Sequence, residues 1–454
     1  MVRRRSPGVV VALICSAVLI GTACGEVEVA ADAEDPEPAD AGDSEPPDAV
    51  GEPDATVTGQ PDAGGPPDAA QICEPGASTC SDDIESQCDD TGQNEEHRVC
   101  DFGCDDAGLR CVELQVSNGL GEFLANADEG PELELDEESL VSTNGFIIVD
   151  GDTIDVPSEL LSAPENGVEV RVFSVKSLDV TGTVSIEGDA ALAFVAEDEI
   201  RIDGLLSVAG REDESGPGVA NDRTGGPGSR RHVDCGTLNT GGGGGAFGAD
   251  GGDGGDIEGD EGSANGGFGG RSGGNDDLVP LRGGSRGGGA DGRGGGAVQL
   301  VSRTSISIRD GGVIDAGGAG GDYRGTVPGG GGSGGGILLE SPEVALSGAG
   351  SALVANGGGG GCDDGEGEDG RLDGQRAAGC VSGSMGDGGR GGAGTSPEGE
   401  AAPEFLAGDT CPAISGGGGG GVGRIRVNTF EDAFAVDSDS IISPAASTGE
   451  LLLE

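Results

Sequence analysis

Alternating apolar and polar residues mark a repeated segment in the middle of the chain. Residues 178–186 align without gaps with residues 200–208, so every position of the first copy has a counterpart 22 residues later. Two further copies lie at 300–311 and 338–348, and a partial fifth copy lies at 424–427. The alternation is the period of a half-buried strand, and a 22-residue unit has the size of one coil of a β-solenoid.

The copies also predict which side chains share a core. Stacked coils bury an apolar stripe that no single coil could bury alone, so equivalent apolar residues should lie one above another. These residues are Val180, Ile202, Ile308 and Leu346. Upstream, an apolar residue precedes the first strand position of each copy by six residues, namely Val172, Phe194, Leu300 and Leu338. The sequence thus predicts a mainly β fold, a parallel β-helix or β-solenoid over residues 168–429.

Runs of glycine interrupt the repeat between the second and third copies and again after the third and fourth. They include residues 241–245, 251–262, 329–336, 357–361 and 416–421. Polyglycine is normally a flexible linker, because glycine is costly to order. Alternatively, the runs pack as extended helices with three residues per turn, in which only glycine permits such close backbone contact. Cysteines within the insertions favour the packed form.

Composition limits where an apolar core can form. The 454 residues include 98 Gly, one Tyr, no Trp and 83 acidic residues against 24 Lys and Arg, for a formal net charge of -59. Such a chain is close to the composition at which proteins remain unfolded, so whatever folds must do so locally. A nucleic-acid partner is excluded, because a phosphate backbone requires a basic face and Lys176 is the only lysine.

The first residues have the features of an export signal. Arginines at 3–5 precede an apolar run at 9–20, which is too short to cross a bilayer as a permanent helix. The run ends in Gly-Thr-Ala-Cys, which resembles a bacterial lipobox and predicts lipidation of Cys24. A lipid on Cys24 would hold the protein on a membrane without a spanning helix. The alternative is cleavage after Ala33 and free secretion. By resemblance to other bacterial lipoproteins, Gly25 favours the outer membrane, with the protein exported and exposed at the cell surface.

The predicted organisation has six parts. A signal peptide (1–23) precedes the lipidated cysteine and a disordered, acidic, Pro-rich linker (24–72), which acts as a spacer. A disulfide-rich module (73–111) and a β-rich lead-in segment (112–167) follow. The glycine-rich β-solenoid-like domain spans 168–429, and a C-terminal tail spans 430–454.

The remaining cysteines fall into two groups. Six lie within one short stretch, namely Cys73, Cys80, Cys88, Cys100, Cys104 and Cys111, and in an exported chain they predict a disulfide framework with fifteen possible connectivities. A metal site that includes His97 is the alternative, although the Cys-x2-Cys pairs typical of structural zinc are absent. Four more lie in the glycine-rich loops and predict two further disulfides, and these are Cys235, Cys362, Cys380 and Cys411.

The glycine-rich approaches to the strands resemble a known group of proteins. They read GGGGGAFG at 241–248, GGGAVQLV at 294–301, GSGGGILLE at 332–340 and GGGVGRIRV at 419–427. Together with the cysteine-rich module, they are similar to the glycine-rich surface lipoproteins of myxobacteria. The resemblance covers more than half of the chain. Because that group is largely uncharacterised, it implies a location and an architecture but no chemistry.

Candidate ligand residues are few. Asp250, Asp253 and Asp256 in DGGDGGD are similar to a calcium-binding Gly/Asp nonapeptide, although Glu258 fills the apolar position expected after the last aspartate. Calcium at these aspartates is the only cofactor the sequence suggests.

Carboxylates for sugar chemistry are abundant, with one cluster at 150–155 and two aspartates, Asp310 and Asp315, beside a strand. Sugar sites usually add aromatic platforms, however, and Tyr323 is the only tyrosine. A Ser-His-Asp site would need His97 or His232, and neither has a nucleophile elbow nearby.

Two function classes therefore remain. The first is a non-enzymatic cell-envelope lipoprotein with a structural, adhesive or surface-binding role. Its partners would be the membrane, through the lipid, and a surface glycan, matrix or protein ligand. The second is a carbohydrate-active enzyme, a polysaccharide lyase or glycoside hydrolase, on a parallel β-helix. Carboxylates that converge in one groove would favour the enzyme.

Overall fold

The computed structural model describes residues 72–454 except 106, 163–167, 212, 221, 235, 261, 290–291, 324–326 and 409–410. Cys24, Cys235, the signal peptide and the acidic linker up to residue 71 lie outside the described residues. Within them the fold is mainly β. The single α-helix of this part is α1 (Gly121–Leu124), between 3₁₀ turns at Ser117–Gly119 and Ala127–Glu129. No helix among the described residues has the length and apolar character needed to cross a membrane.

A small antiparallel sheet cross-linked by disulfides begins the described chain. Its strands are β1 (Ser78–Ser81), β2 (Ile84–Cys88) and β3 (Glu95–Val99). The disulfides are Cys73–Cys88, Cys80–Cys104 and Cys100–Cys111, so the six cysteines leave no free thiolate for the zinc alternative. His97 instead lies beside Ser86 on the neighbouring strand, with 2.8 Å between Nδ1 and Oγ.

Three long sheets make up most of the remaining fold. Sheet 1 contains, in spatial order, β9 (Ser158–Leu161), β10 (Val170–Val175), β13 (Ala191–Ala196), β20 (Ala297–Ser302), β23 (Gly336–Glu340), β28 (Arg424–Thr429) and β31 (Ser447–Glu450). Sheet 2 contains β5 (Glu132–Leu135), β11 (Ser177–Val180), β14 (Ile200–Ile202), β21 (Ser305–Ile308), β24 (Glu343–Leu346) and β29 (Phe434–Val436). Sheet 3 contains β8 (Asp152–Ile154), β7 (Phe146–Val149), β6 (Leu140–Ser142), β12 (Thr183–Glu187), β15 (Leu205–Ser207), β22 (Val313–Asp315), β25 (Ala352–Val354) and β30 (Ile441–Ser443).

The order of strands follows a simple rule. Each of five successive stretches of chain, beginning with β10, β13, β20, β23 and β28, contributes one strand to sheet 1, one to sheet 2 and one to sheet 3. Neighbouring strands from successive stretches pair in parallel. Three antiparallel pairings lie at the N-terminal end of these sheets: β9 pairs with β10, β7 with β6, and β8 with β7.

Sheet 2 places the repeated apolar residues as the sequence predicts. Val180 pairs with Ile202, which in turn pairs with Ile308. Ile308 pairs with Leu346, and all four side chains are at most 1% exposed. They belong to one core to which all three sheets contribute side chains. Because sheet 2 alternates buried and half-buried positions, the alternation in the sequence fixes its register.

In sheet 1, the predicted spacing upstream of the strands is wrong by one residue in two copies. The structure pairs Phe173, rather than Val172, with Phe194, and their rings stack with centroids 5.5 Å apart. In the fourth copy Leu339, rather than Leu338, takes the equivalent place. Every position of the central strands of this sheet is buried, so consecutive residues are apolar and the sequence pattern does not select one face.

The outer face of sheet 1 is covered from two distant parts of the chain. Leu120 and Leu124 come from the segment around α1, and Leu278 and Leu281 come from the first glycine-rich insertion. Asn118 joins the two parts, because its Nδ2 donates to the Leu278 carbonyl (3.2 Å) and its Oδ1 accepts from the Leu281 amide (3.0 Å). Both faces of the central strands of sheet 1, β13, β20 and β23, are therefore shielded from water.

Two buried charges near this face are well compensated. The Arg303 side chain is 4% exposed, and its guanidinium lies 2.8 Å from both Glu113 and Glu197. Glu340 is 1% exposed and accepts a hydrogen bond from Asn428 Nδ2 at 2.9 Å, among other donors. A buried charge is stable in such places because partners satisfy it.

The sheets extend beyond the predicted boundaries of 168–429. Strands β5 and β6, in the predicted lead-in, pair with β11 and β12. Strands β29, β30 and β31, in the predicted C-terminal tail, continue all three sheets. The last strand, β32 (Leu452–Leu453), pairs with β4 (Leu114–Gln115). The tail escaped the repeat pattern because its strands are short and mostly half-exposed.

The three glycine-rich insertions lie at equivalent places in the chain, each between a strand of sheet 3 and the next strand of sheet 1. They comprise residues 208–296, 316–335 and 355–423. Their segments pack side by side as one bundle. Three consecutive amides, at 243, 244 and 245, donate over 2.8–2.9 Å to carbonyls of three different segments, at Gly226, Gly252 and Gly331. This three-residue period is that of an extended helix, so the packed interpretation of the glycine runs agrees with the structure.

Glycine is required in the bundle by close backbone approach. A Cβ built on Gly244 would overlap the carbonyl oxygen of Gly419 in the neighbouring segment, and most glycines of the runs meet a carbonyl in the same way. The bundle therefore holds together through backbone hydrogen bonds, where the stacked sheets hold together through apolar side chains.

Candidate functional site

The bundle ends in a small β apex, on the side away from the three sheets. One sheet of the apex contains β16 (Arg230–Val233), β17 (Gly236–Asn239) and β27 (Ala413–Ile414), and the other contains β19 (Gly262–Ala264), β18 (Ile257–Gly259) and β26 (Phe405–Gly408). Leu238, Ile257 and Ala413 share a core that joins the two sheets. Residues 415–423 lead from β27 at the apex back to β28, and at about 3.1 Å per residue they place the apex roughly 25 Å from the base of the bundle.

A concavity of about 490 Å³ opens at the apex between the β18–β19 turn and β26. Its side chains are those of Glu258, Asp260, Ser263 and Leu406. Leu406 is 73% exposed on β26. Carboxylates and a hydroxyl beside an exposed leucine can bind a polar ligand that also has an apolar face.

Two carboxyl groups of the apex influence one another. Charge repulsion from the nearby Glu258 raises the pKa of Glu404 above its usual value. Like charges this close disfavour full ionisation, so the charge of the apex depends on pH.

Sequence reasoning missed the apex. Its signal was the set of short stretches with few glycines between the glycine runs, at 229–239, 257–261 and 400–414. Apolar and polar residues alternate only weakly in these stretches, because each stretch forms only a short strand or hairpin.

The three aspartates suggested for calcium line one edge of the bundle. Each accepts a hydrogen bond through Oδ1 from a backbone amide of the adjacent segment: Asp250 from Ser272 (2.6 Å), Asp253 from Gly269 (2.7 Å) and Asp256 from Gly266 (2.7 Å). The hydrogen bond from the Ser272 amide lowers the pKa of Asp250 below its usual value. Along an extended helix, residues three apart are separated by about 9 Å, too far for one ion that binds oxygens at about 2.4 Å. The aspartates therefore seal the edge of the bundle and do not form one calcium site.

The cysteines of the insertions act at the apex end of the bundle. Cys362 and Cys380 form a disulfide, and Cys411 is also disulfide-bonded. Cys235 lies outside the described residues. These links tie the loops that connect the glycine-rich segments.

The carboxylates considered for sugar chemistry are dispersed. Asp150 lies in the β7–β8 turn, and Asp152 is on β8, at one end of sheet 3. Asp315 lies five strands away on β22, which is about 24 Å at the usual strand spacing. Asp315 is buried, accepts hydrogen bonds from Ser207 Oγ (3.1 Å) and the Gly317 amide (2.8 Å), and burial raises its pKa to about 6. These positions do not make one groove.

No family model matches the chain, and neither the curated proteins nor the solved structures include a significant match.

Proposed function

We propose that this chain is an exported, lipid-anchored protein of the cell envelope that binds a surface glycan, matrix component or protein through the apex. In this proposal the three sheets are the faces of a parallel β-solenoid, and the bundle is a rigid arm that holds the apex away from it. The stacked strands and their shared core support the solenoid.

The ordered bundle is the observation that carries the proposal. Glycine loses more conformational freedom on folding than any other residue, so a long glycine-rich insertion folds only at considerable cost. Here three separate insertions form one hydrogen-bonded bundle that ends in a single apex. Binding residues commonly lie on loops positioned by a rigid scaffold. A structure of this kind suits presentation of the apex to a partner.

The proposed location rests on the cysteines and the N-terminal sequence. Disulfides persist in oxidising compartments outside the cytosol, and the described residues contain four complete ones. The lipobox-like sequence before Cys24 adds a membrane anchor, and the resemblance to myxobacterial surface lipoproteins adds the outer membrane.

The apex concavity indicates the ligand chemistry. Glu258 and Asp260 accept hydrogen bonds and attract cations, Ser263 both donates and accepts, and Leu406 offers an apolar contact. A hydroxyl-rich ligand with an apolar face, such as a sugar ring, or a basic peptide segment matches these groups.

The test is binding of the purified full chain to an array of glycans, matrix components and basic peptides, with analysis for cleavage products. We expect a ligand whose binding is lost in Glu258→Gln and Leu406→Ser. Glu343→Gln, an exposed acid on β24 far from the apex, is the matched control and should bind normally. Cleaved glycans would instead support the enzyme alternative, and equal loss in all three variants would exclude the apex as the binding site.

A further inference from the structure

Two arginines lie over one phenylalanine where the bundle meets sheet 1, and a third arginine lies beside them. The guanidinium carbons of Arg282 and Arg424 lie 5.8 and 5.7 Å from the ring centroid of Phe247. Gly273 lies between Arg424 and the third arginine, Arg223. Its carbonyl accepts a hydrogen bond from Arg424 Nη2 (3.4 Å), and a Cβ on this glycine would meet the Arg223 guanidinium. Arg223, Arg282 and Arg424 are called the arginine cluster below.

The positive charge of the arginine cluster is largely buried and incompletely compensated. The three side chains are only 25%, 9% and 17% exposed, in chain order, and the Nε atom of each lacks a hydrogen-bond partner. Among the described residues, the carboxylates that pair with the cluster are Asp222 and Asp276, and they are 52% and 74% exposed. Solvent weakens the attraction of such exposed acids. Arg303 differs, because its acids Glu113 and Glu197 are only 35% and 26% exposed.

Arg424 shows the imbalance most clearly. Burial, together with the nearby charge of Arg223, lowers the pKa of Arg424 below its usual value, even though Arg424 contacts Asp276. Desolvation and a like charge both disfavour the charged guanidinium, so a further negative charge beside it would stabilise the folded protein.

A cavity of about 310 Å³ opens beside Arg424. Its wall includes Pro397, Val422, Asp276 and Ser447. Since one water occupies about 30 Å³ in the liquid, the cavity is larger than a bare ion requires and can admit an anionic group carried on a small molecule.

We infer that this cavity binds a small oxyanion, a carboxylate, sulfate or phosphate group, through Arg424, with Arg223 and Arg282 adding to the attraction. The planar guanidinium matches the oxygens of such groups and forms short, charge-assisted hydrogen bonds with them. The site lies at the base of the bundle, is separate from the apex, and does not depend on what the apex binds.

The experiment measures thermal unfolding and binding heat of the full chain with sulfate, phosphate, acetate or glucuronate. Sodium chloride at the same ionic strength is the reference. We expect a saturable rise in the unfolding temperature with at least one oxyanion and none with chloride. A stronger effect of glucuronate than of acetate would identify an acidic sugar, rather than a free ion, as the source of the group. The inference fails if every salt gives the effect of chloride.

Variants then locate the site. Arg424→Gln removes one charged donor and should weaken the oxyanion affinity about 10- to 100-fold. Arg426→Gln is the matched control, because Arg426 lies two residues along the same strand and is equally buried, but its Nε has a partner in Asn428 (2.7 Å). Should Arg424→Gln not fold, Arg223→Gln tests the cluster from another segment and should also weaken binding. Equal weakening by Arg426→Gln would contradict the proposed location.

Discussion

Replacing Gly244 by alanine tests the packed bundle directly. The new Cβ would overlap the Gly419 carbonyl, so the two segments must move apart. Separation disturbs two hydrogen bonds that join these segments, from the Gly418 amide to Gly242 (2.9 Å) and from the Gly421 amide to Gly245 (3.0 Å). Overpacking costs about 1–3 kcal/mol and each hydrogen bond about 1 kcal/mol net, so Gly244→Ala should lower the free energy of unfolding by about 3–5 kcal/mol.

Gly374 supplies the matched control. It is exposed, its Cβ would meet nothing within 4 Å, and its φ is not positive, so Gly374→Ala should leave stability unchanged or raise it by up to about 1 kcal/mol. Urea unfolding of the full chain gives both values. Hydrogen exchange of the amides at 242–245 gives an independent measure, since a packed bundle protects them. If these amides exchange at once in the wild type and the two variants are equally stable, the glycine runs are flexible linkers and the packed bundle is refuted.

Three further predictions follow from the core, a buried acid and the N-terminus. Ile202→Asp places an unpaired carboxylate at a position that is 0% exposed and should lower the free energy of unfolding in urea by more than about 4 kcal/mol. Val381→Asp, at a position that is 79% exposed, should lower it by less than about 0.5 kcal/mol. Equal losses would exclude the stacked core. Burial raises the pKa of Asp315 to about 6, so the folded state binds this proton more tightly than the unfolded state. The stability of the wild type should therefore fall by up to about 3 kcal/mol from pH 4 to pH 7, relative to Asp315→Asn. Parallel pH profiles of the two proteins would contradict this. Cys24→Ala should abolish fatty-acid labelling and membrane association, whereas retained label would exclude lipidation at this cysteine.

The sequence predicted sheet 2 better than sheet 1 for a physical reason. In sheet 2 one face meets the core and the other is half-exposed, so residues such as Val180 and Ile202 stand out against polar neighbours. In sheet 1 the segment around α1 covers the outer face, so Val172 and Phe173 are equally buried on opposite sides. Nothing local distinguishes two adjacent apolar residues. The choice between them depends on a covering segment that joins the sheet only in the folded protein.

The bundle was harder to predict because glycine has no side chain, so a run of glycines shows no pattern of apolar and polar residues from which a helical period could be recognised. Its one visible trace was DGGDGGD, where an acid recurs every third residue. That spacing suggested a metal-binding repeat, yet it is also the period of the extended helix, so it brings Asp250, Asp253 and Asp256 to one side. On the adjacent antiparallel segment the amides that donate to them, at 266, 269 and 272, follow the same period. An acid at every third position among glycines therefore identifies an outer edge of the bundle, where each carboxylate takes the place of the next segment as hydrogen-bond acceptor.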